Sequence, residues 1–259
     1  MAITESDVDD RLEGGLMIKL PRRGDYGFDG DSIELVGMGV IGVVALLTAV
    51  FERAGHVRIA AVAAFVAAYF VAMIGFYLHT TRRGKFIIWA EILGTLELRG
   101  DERVLDAGCG RGAVLTMVGQ QVPKGSAVGL DIWTRDQSGN GIGAAERNLT
   151  AEGLRETCDL VTGDMRAMPF ADASFDLVVS SLAIHNISDR AGRRQAVAEI
   201  ARVLKPGGRV AIADLAWTRT YTQDFEQFGF IDARRRLLGW RFWWGPGFPT
   251  TTLVTGTKP

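Results

Sequence analysis

Two stretches without a single charged residue, 35–51 and 59–78, dominate the first third of this 259-residue chain. As helices rising 1.5 Å per residue they run about 26 and 30 Å, close to the thickness of a bilayer's hydrocarbon core. Only a short polar turn containing Arg53 and Arg58 separates them. Neither stretch has the polar face of a helix packed in a soluble domain, so residues 35–78 read as a transmembrane helical hairpin. The periodicity then changes. Residues 86–98 place Ile88, Trp89, Ile92, Leu93 and Leu96 on a helical stripe, a lead-in helix within a linker segment at 79–101. From residue 102 to 259, short apolar runs alternate with helical patterns, which predicts an α/β domain with a parallel sheet covered on both faces. Residues 1–34 divide into an acidic start, a small amphipathic piece at 16–20 and a turn-rich arm at 21–30 with little regular structure. Tyr26 and Phe28 in that arm lie at lipid headgroups or over the active site, or else the arm is loose.

Chemistry concentrates where the domain's strands end. The run Val104-Leu105-Asp106-Ala107-Gly108-Cys109-Gly110-Arg111-Gly112 is an apolar strand tipped by a carboxylate, then three glycines at alternate positions, then a helical pattern. Glycines there let the backbone approach a ligand and turn into a helix whose N-terminus offers free amides. About twenty residues on, Val128-Gly129-Leu130-Asp131 ends a second strand in an acid, the spacing at which a carboxylate grips ribose hydroxyls. Asp159-Leu160-Val161 leads into Gly163-Asp164-Met165, and the strand at 175–180 leads into Ser181-Leu182-Ala183-Ile184-His185-Asn186. A helix then reaches a Pro206-Gly207-Gly208 stop before a strand at 209–214.

In this order the segments resemble the class I S-adenosylmethionine-dependent methyltransferases, in particular the methyltransferase type 11 and quinone-methyltransferase-like group, over residues 102–259. The resemblance implies a Rossmann-like, mostly parallel seven-stranded sheet with a closing hairpin at 230–238 and 251–257, here preceded by two transmembrane helices. It implies that Asp106, Gly108 and Gly110 shape the pocket for the methionine and ribose portions of S-adenosylmethionine, and that Asp131 binds the ribose hydroxyls. Ile132 and Trp133 would sandwich adenine, Asp164 would accept from its exocyclic amine, the Met165 amide would meet a ring nitrogen, and Ser180 and Ser181 would border the methyl. The lead-in helix often lines the acceptor pocket in this family, so Trp89 is either an acceptor contact or core. The loop at 134–143 is longer than the family pattern; either Gln137 or Asn140 closes over the donor there, or the loop is simply mobile.

A second glycine pattern, Gly37-Met38-Gly39-Val40-Ile41-Gly42, matches G-x-G-x-x-G but has no preceding strand and no acid twenty residues on. Small residues in a membrane helix explain it better. His185 is the only histidine of the domain; it is either a general base, its ordinary pKa near 6.5 suiting proton acceptance, or a pocket-lining residue. No metal is expected, since no His, Cys and carboxylate residues cluster at ligand spacing. Two cysteines, Cys109 and Cys158, suggest no disulfide framework. A net charge of −1 gives no reason to expect a nucleic-acid partner. Lys19, Arg22, Arg23, Arg82, Arg83 and Lys85 flank the hairpin against Arg53 and Arg58 in its turn, a modest bias that puts both termini and the catalytic domain in the cytoplasm. The late start of the first apolar run, after an acidic segment, does not read as a cleaved leader.

The aromatic segment 239–249 beside Arg234, Arg235 and Arg236 either docks on an anionic membrane surface or packs onto the sheet. Together these features predict a membrane-anchored methyltransferase acting on a small, apolar or lipid-soluble acceptor. The competing readings are a donor-binding membrane scaffold or sensor without turnover, and a dinucleotide oxidoreductase, which would want the third glycine one residue after Gly112.

Overall fold

The computed structural model describes residues 20, 23–29, 32–52, 55–133 and 139–259. The acidic start, most of the amphipathic piece, Lys19, Arg22, Arg53 and Gln137 lie outside the described residues. The two apolar stretches form helices α1 (Ser32–Glu52) and α2 (Val57–His79). They pack on each other where Gly42 faces Phe70; a Cβ at Gly42 would lie 3.3 Å from that of Phe70. The G-x-G-x-x-G of α1 is helical throughout, so it forms no strand-to-helix ligand loop. Apolar side chains such as Val40, Val44, Leu47, Val62, Phe65 and Val71 are exposed around the outside of the pair. Exposed apolar surface of this kind marks an interaction face toward a membrane, another protein or a ligand.

The segment read as a linker is helical. Nothing in His79-Thr80-Thr81-Arg82-Arg83-Gly84-Lys85 breaks a helix, and α2 passes through one wide π-helical turn (Thr80–Gly84) into α3 (Lys85–Thr95). Val57–Thr95 is thus one continuous helix of 39 residues, long and apolar enough to cross a membrane. Gly84 sits in helical geometry, and its missing side chain admits the main chain of another segment: a Cβ there would lie 1.7 Å from the Arg241 carbonyl oxygen.

The domain is a seven-stranded sheet of β1 (Arg103–Ala107), β2 (Ser126–Asp131), β3 (Cys158–Thr162), β4 (Phe175–Ser181), β5 (Leu204–Asp214), β6 (Ile231–Leu237) and β7 (Thr252–Thr257). Its order is β3-β2-β1-β4-β5-β7-β6, with β1 to β5 parallel and β7 antiparallel to both its neighbours. Helices α4 (Ala113–Gln121), α5 (Ile142–Glu152), α6 (Arg190–Val203) and α7 (Thr218–Gln227) supply the covering layers. One face packs Trp89, Leu115, Val118 and Phe242; the other packs Ile200, Tyr221 and Phe225. Strand order reverses between β1 and β4, which opens a crevice at their carboxyl ends, where open α/β sheets bind ligands.

One boundary differs from expectation. Helix α6 stops at Val203, ahead of the Pro-Gly-Gly run, and β5 starts at Leu204 instead of Arg209. Proline pushes the preceding residue out of helical geometry, and Gly207 N then donates to Lys258 O at 2.8 Å, continuing the sheet.

The fit of residues 239–242 against the π-helical turn depends on Gly84. Gly84→Ala should destabilise the fold by about 1–3 kcal/mol through overpacking; thermal unfolding of the detergent-purified chain measures it as a lowered midpoint.

Candidate active site

A cavity of about 760 Å³ occupies the crevice. Its floor is the glycine loop. Gly108 (φ +79°) and Gly110 (φ +51°) take left-handed backbone geometry that disfavours other residues, and a Cβ at Gly108 would lie 2.3 Å from that of Ala183. Asp131, at the tip of β2, holds this loop: Gly110 N donates to its Oδ2 at 2.7 Å and Trp133 N to its Oδ1 at 2.6 Å. Asp106, at the tip of β1, is almost wholly buried, lines the cavity, and neither carboxyl oxygen has a hydrogen-bond partner among the described residues. Burial, then the neighbouring Asp131 charge, push its pKa up to about 8. Unpartnered buried carboxyls are uncommon. This one fits a ligand that brings positive charge or N–H donors into the crevice, as the methionine part of S-adenosylmethionine does.

Ile132, Asp164, Met165 and Ser181 also line the cavity. The Asp164 carboxylate is held well below its ordinary pKa by hydrogen bonds from Arg166, with Nη2 at 2.6 Å from Oδ2. Two expected residues stand elsewhere. Trp133 does not line the cavity; its indole Nε1 donates to Thr162 Oγ1 at 2.7 Å, which turns the ring toward β3. Ser180 is buried behind the cavity wall, its hydroxyl donating to Ala107 O at 2.7 Å and tying β4 to β1. Alternation along a strand explains the second correction: Ser180 and Ser181 point to opposite sides, so only one reaches the crevice.

His185 sits in a short 3-10 turn after β4 and lines the cavity. Its backbone N–H donates to Asp214 Oδ2 at 3.0 Å, and its Nδ1 is 2.5 Å from Asp214 Oδ1. Asp214 is fully buried at the tip of β5 and also accepts from Tyr221 OH at 3.3 Å. A carboxylate facing Nδ1 places the proton there and leaves Nε2 as the acceptor atom of the ring. Sequence reasoning located His185 but treated Asp214 only as a strand end, although a third acid ending a strand was the available signal.

The remaining wall comes from outside the domain. The arm folds over the glycine loop: Arg111 Nη2 meets Asp25 Oδ2 at 2.8 Å, and Asp25 N donates to Asn148 Oδ1 at 2.8 Å. Tyr26 is buried edge-on against Phe86, with its hydroxyl 3.2 Å from Thr116 Oγ1. The arm therefore packs against the domain at this point, with Tyr26 between Phe86 and Thr116. Lys85, read from sequence as a charge flanking the hairpin, is only 4% exposed and is paired with Asp29 at 2.7 Å. Trp89 is both core and wall, fully buried, lining the cavity, and donating from Nε1 to Ser181 Oγ at 2.9 Å. Tyr77, Trp244, Phe248 and Met38 of α1 complete the apolar end. The aromatic segment divides its contacts: Phe242 packs in the core on the sheet, while Trp243 and Trp244 lie against Phe76 and Tyr77 of α2. Among the described residues no group of three or more His, Cys, Asp or Glu could hold a metal ion.

Residues 105–212 match the family described as a methyltransferase domain. The chain is 31% identical over 120 residues to a demethylmenaquinone methyltransferase of Lactobacillus johnsonii, covering 46% of each protein. It is 32% identical over 130 residues to the chloroplastic 2-phytyl-1,4-beta-naphthoquinone methyltransferase of Arabidopsis thaliana, covering 50% of this chain and 48% of that protein. The chain thus spans about half the length of the curated relatives it matches. Its fold is shared with the crystal structure of a SAM-dependent methyltransferase from Aquifex aeolicus, with a TM-score of 0.54 at 18% identity over 70% of this chain and 92% of that one. The glycine loop, Asp106 and Asp131 all fall within the residues matched to the methyltransferase domain, and the sheet shares the Rossmann-like fold of the solved structure.

Proposed function

We propose that this protein is a membrane-anchored enzyme that transfers a methyl group from S-adenosylmethionine to a small, lipid-soluble acceptor. One observation carries the reading: a single cavity joins Asp106, the glycine loop and Asp131 at one end to Met38, Tyr77, Trp244 and Phe248 at the other. A polar donor and an apolar acceptor thereby meet in one enclosure. The quinone-type names of the two relatives support an apolar acceptor, and the exposed apolar surface of α1 and α2 supports a bilayer around them. The excess of arginine and lysine at the domain end of the hairpin supports a cytoplasmic domain.

When bound, S-adenosylmethionine supplies a sulfonium methyl, an electrophile that needs no further activation. The chain's own residues have the remaining tasks: to align the acceptor atom, exclude water and take up its proton. Trp89, Phe86 and Leu182 wall the reaction space with apolar surface, while the glycine loop holds the donor end. Asp214 orients His185 so that Nε2 accepts the acceptor's proton, and the Nδ1–H bond stabilises the imidazolium that results.

Incubating the full chain in vesicles with methyl-labelled S-adenosylmethionine and a total lipid extract should place label in an organic-soluble product. Label that stays entirely in the donor would identify a binding protein without turnover. His185→Gln should lower turnover by about 10²–10⁴-fold while leaving S-adenosylhomocysteine affinity within about twofold. Unchanged turnover would remove His185 as a base.

The Asp106 carboxyl gives a separate test. With a pKa of about 8 it is mainly protonated at pH 7, and a cationic ligand favours its ionised form. Binding should therefore release a proton, and S-adenosylmethionine affinity should rise from pH 6 to about 8, then level. Calorimetry in buffers of different ionisation enthalpy should detect release approaching one proton at about pH 7, lost in Asp106→Asn.

A further inference from the structure

The aromatic segment between β6 and β7 follows α2 along its length. In chain order, the Arg241 carbonyl abuts Gly84, the Trp243 carbonyl accepts from Thr80 Oγ1 at 2.6 Å, and Trp244 packs on Tyr77. A Cβ at Gly245 would lie 3.1 Å from Met73 Sδ, and the Pro246 carbonyl accepts from Tyr69 OH at 2.9 Å. Eleven residues separate Thr80 from Tyr69, so the tip of the segment lies about 16 Å down the apolar helix from Thr80. The part of α2 beyond it, residues 57–68, is about 18 Å long, well short of the roughly 30 Å a hydrocarbon core requires. A hairpin that spans the bilayer must carry this segment in with it.

The segment is built for that surrounding. Residues 242–249 contain no charge. Irregular backbone is tolerated at membrane depth only where its polar groups are satisfied within the protein. Here the Trp243, Gly245, Pro246 and Phe248 carbonyls accept from Thr80 Oγ1, Phe248 N, Tyr69 OH and Trp243 Nε1. Pro246 and Pro249 have no N–H to satisfy. At the same depth, α2 exposes Val71 (68%) on its surface, with no charged residue nearby in sequence.

We infer that residues 243–249 form a wedge inserted into the leaflet nearest the domain, and that the cavity opens inside that leaflet between Met38, Trp244 and Phe248. This rests on the reading that α1 and α2 cross the membrane. The partner of the surface is the lipid acyl layer, and the acceptor reaches the methyl laterally from lipid without passing through water. Trp244 lines that opening, and its indole Nε1 is buried with no partner among the described residues.

The test uses the full chain in phosphatidylcholine and phosphatidylglycerol vesicles, with nitroxide labels at Phe248→Cys, at Val62→Cys on the exposed face of α2, and at Arg236→Cys on β6. The native Cys109 and Cys158 are buried, with thiol pKa values pushed up by burial, and stay unlabelled. Collisional relaxation by oxygen against a water-soluble nickel chelate reports depth. The inference requires position 248 to favour oxygen several-fold, as position 62 does, with 236 favouring nickel. Position 248 grouping with 236 while 62 stays in lipid overturns the wedge alone; 62 grouping with 236 overturns the membrane reading and the wedge with it. In the chain without cysteine substitutions, phosphatidylcholine brominated midway along its acyl chains should quench tryptophan emission, and Trp243→Phe should reduce that quenching; no quenching counts against insertion.

Discussion

The structure turns on a buried ammonium. Lys85 Nζ lies 2.9 and 2.7 Å from the two Asp29 carboxylate oxygens, inside the angle where the N-terminal arm crosses the long helix. Removing one member of such a pair leaves an uncompensated charge, at a cost of about 3–5 kcal/mol. Thr81 donates to the same carboxylate at 2.9 Å, and Tyr77 donates to the Asp29 carbonyl at 2.6 Å. The knot therefore fixes three things at once: where the arm lies over the glycine loop, how the rod enters the domain, and which side chains face the cavity. Without it, the arm would keep only its contacts to α4, α5 and the glycine loop through Asp25 and Tyr26.

From that knot the cavity changes character in one direction. Toward the strand tips it is acidic, with Asp106 raised by burial and by Asp131 so that it awaits a positive ligand. Toward the hairpin it is mainly aromatic, its one charged pair being the mutually neutralised Lys85 and Asp29. His185 and Ser181 stand between the two ends, where a donor and an acceptor have to touch. The polarity of the cavity assigns the two ligands their ends, and the reacting groups need only be placed at the border.

The sheet and the glycine loop were readable from local patterns because each rests on a local rule. An apolar run ending in an acid, followed by a glycine that must adopt positive φ, marks a strand and its loop without reference to anything distant. Asp106, Gly108 and Gly110 follow that rule, and Asp131 follows its first part alone, since Ile132 and Trp133 come next. Which way Ser180 and Trp133 turn depends on strand alternation and on one side-chain rotation, neither of which residue type specifies. Asp29, Lys85, Tyr77 and Met38 were illegible as site residues because they reach the cavity only through tertiary packing of the arm and hairpin on the domain. Lys85 shows the difficulty well, since an ammonium next to an apolar helix reads as a solvated flank unless its distant carboxylate is known.

The π-helical turn at Thr80–Gly84 sets the angular phase between the two halves of the rod. Downstream of it the apolar stripe of α3 faces the sheet; upstream, α2 presents its aromatic residues to the arm and to the segment after β6. A helix advances about 100° per residue, so a change of one residue in this turn would swing the hairpin around the rod axis by that angle. Met38 and the α2 aromatics would then leave the cavity. The hairpin is for this reason a wall of the cavity with a fixed azimuth, and another helical pair of equal length could not simply replace it.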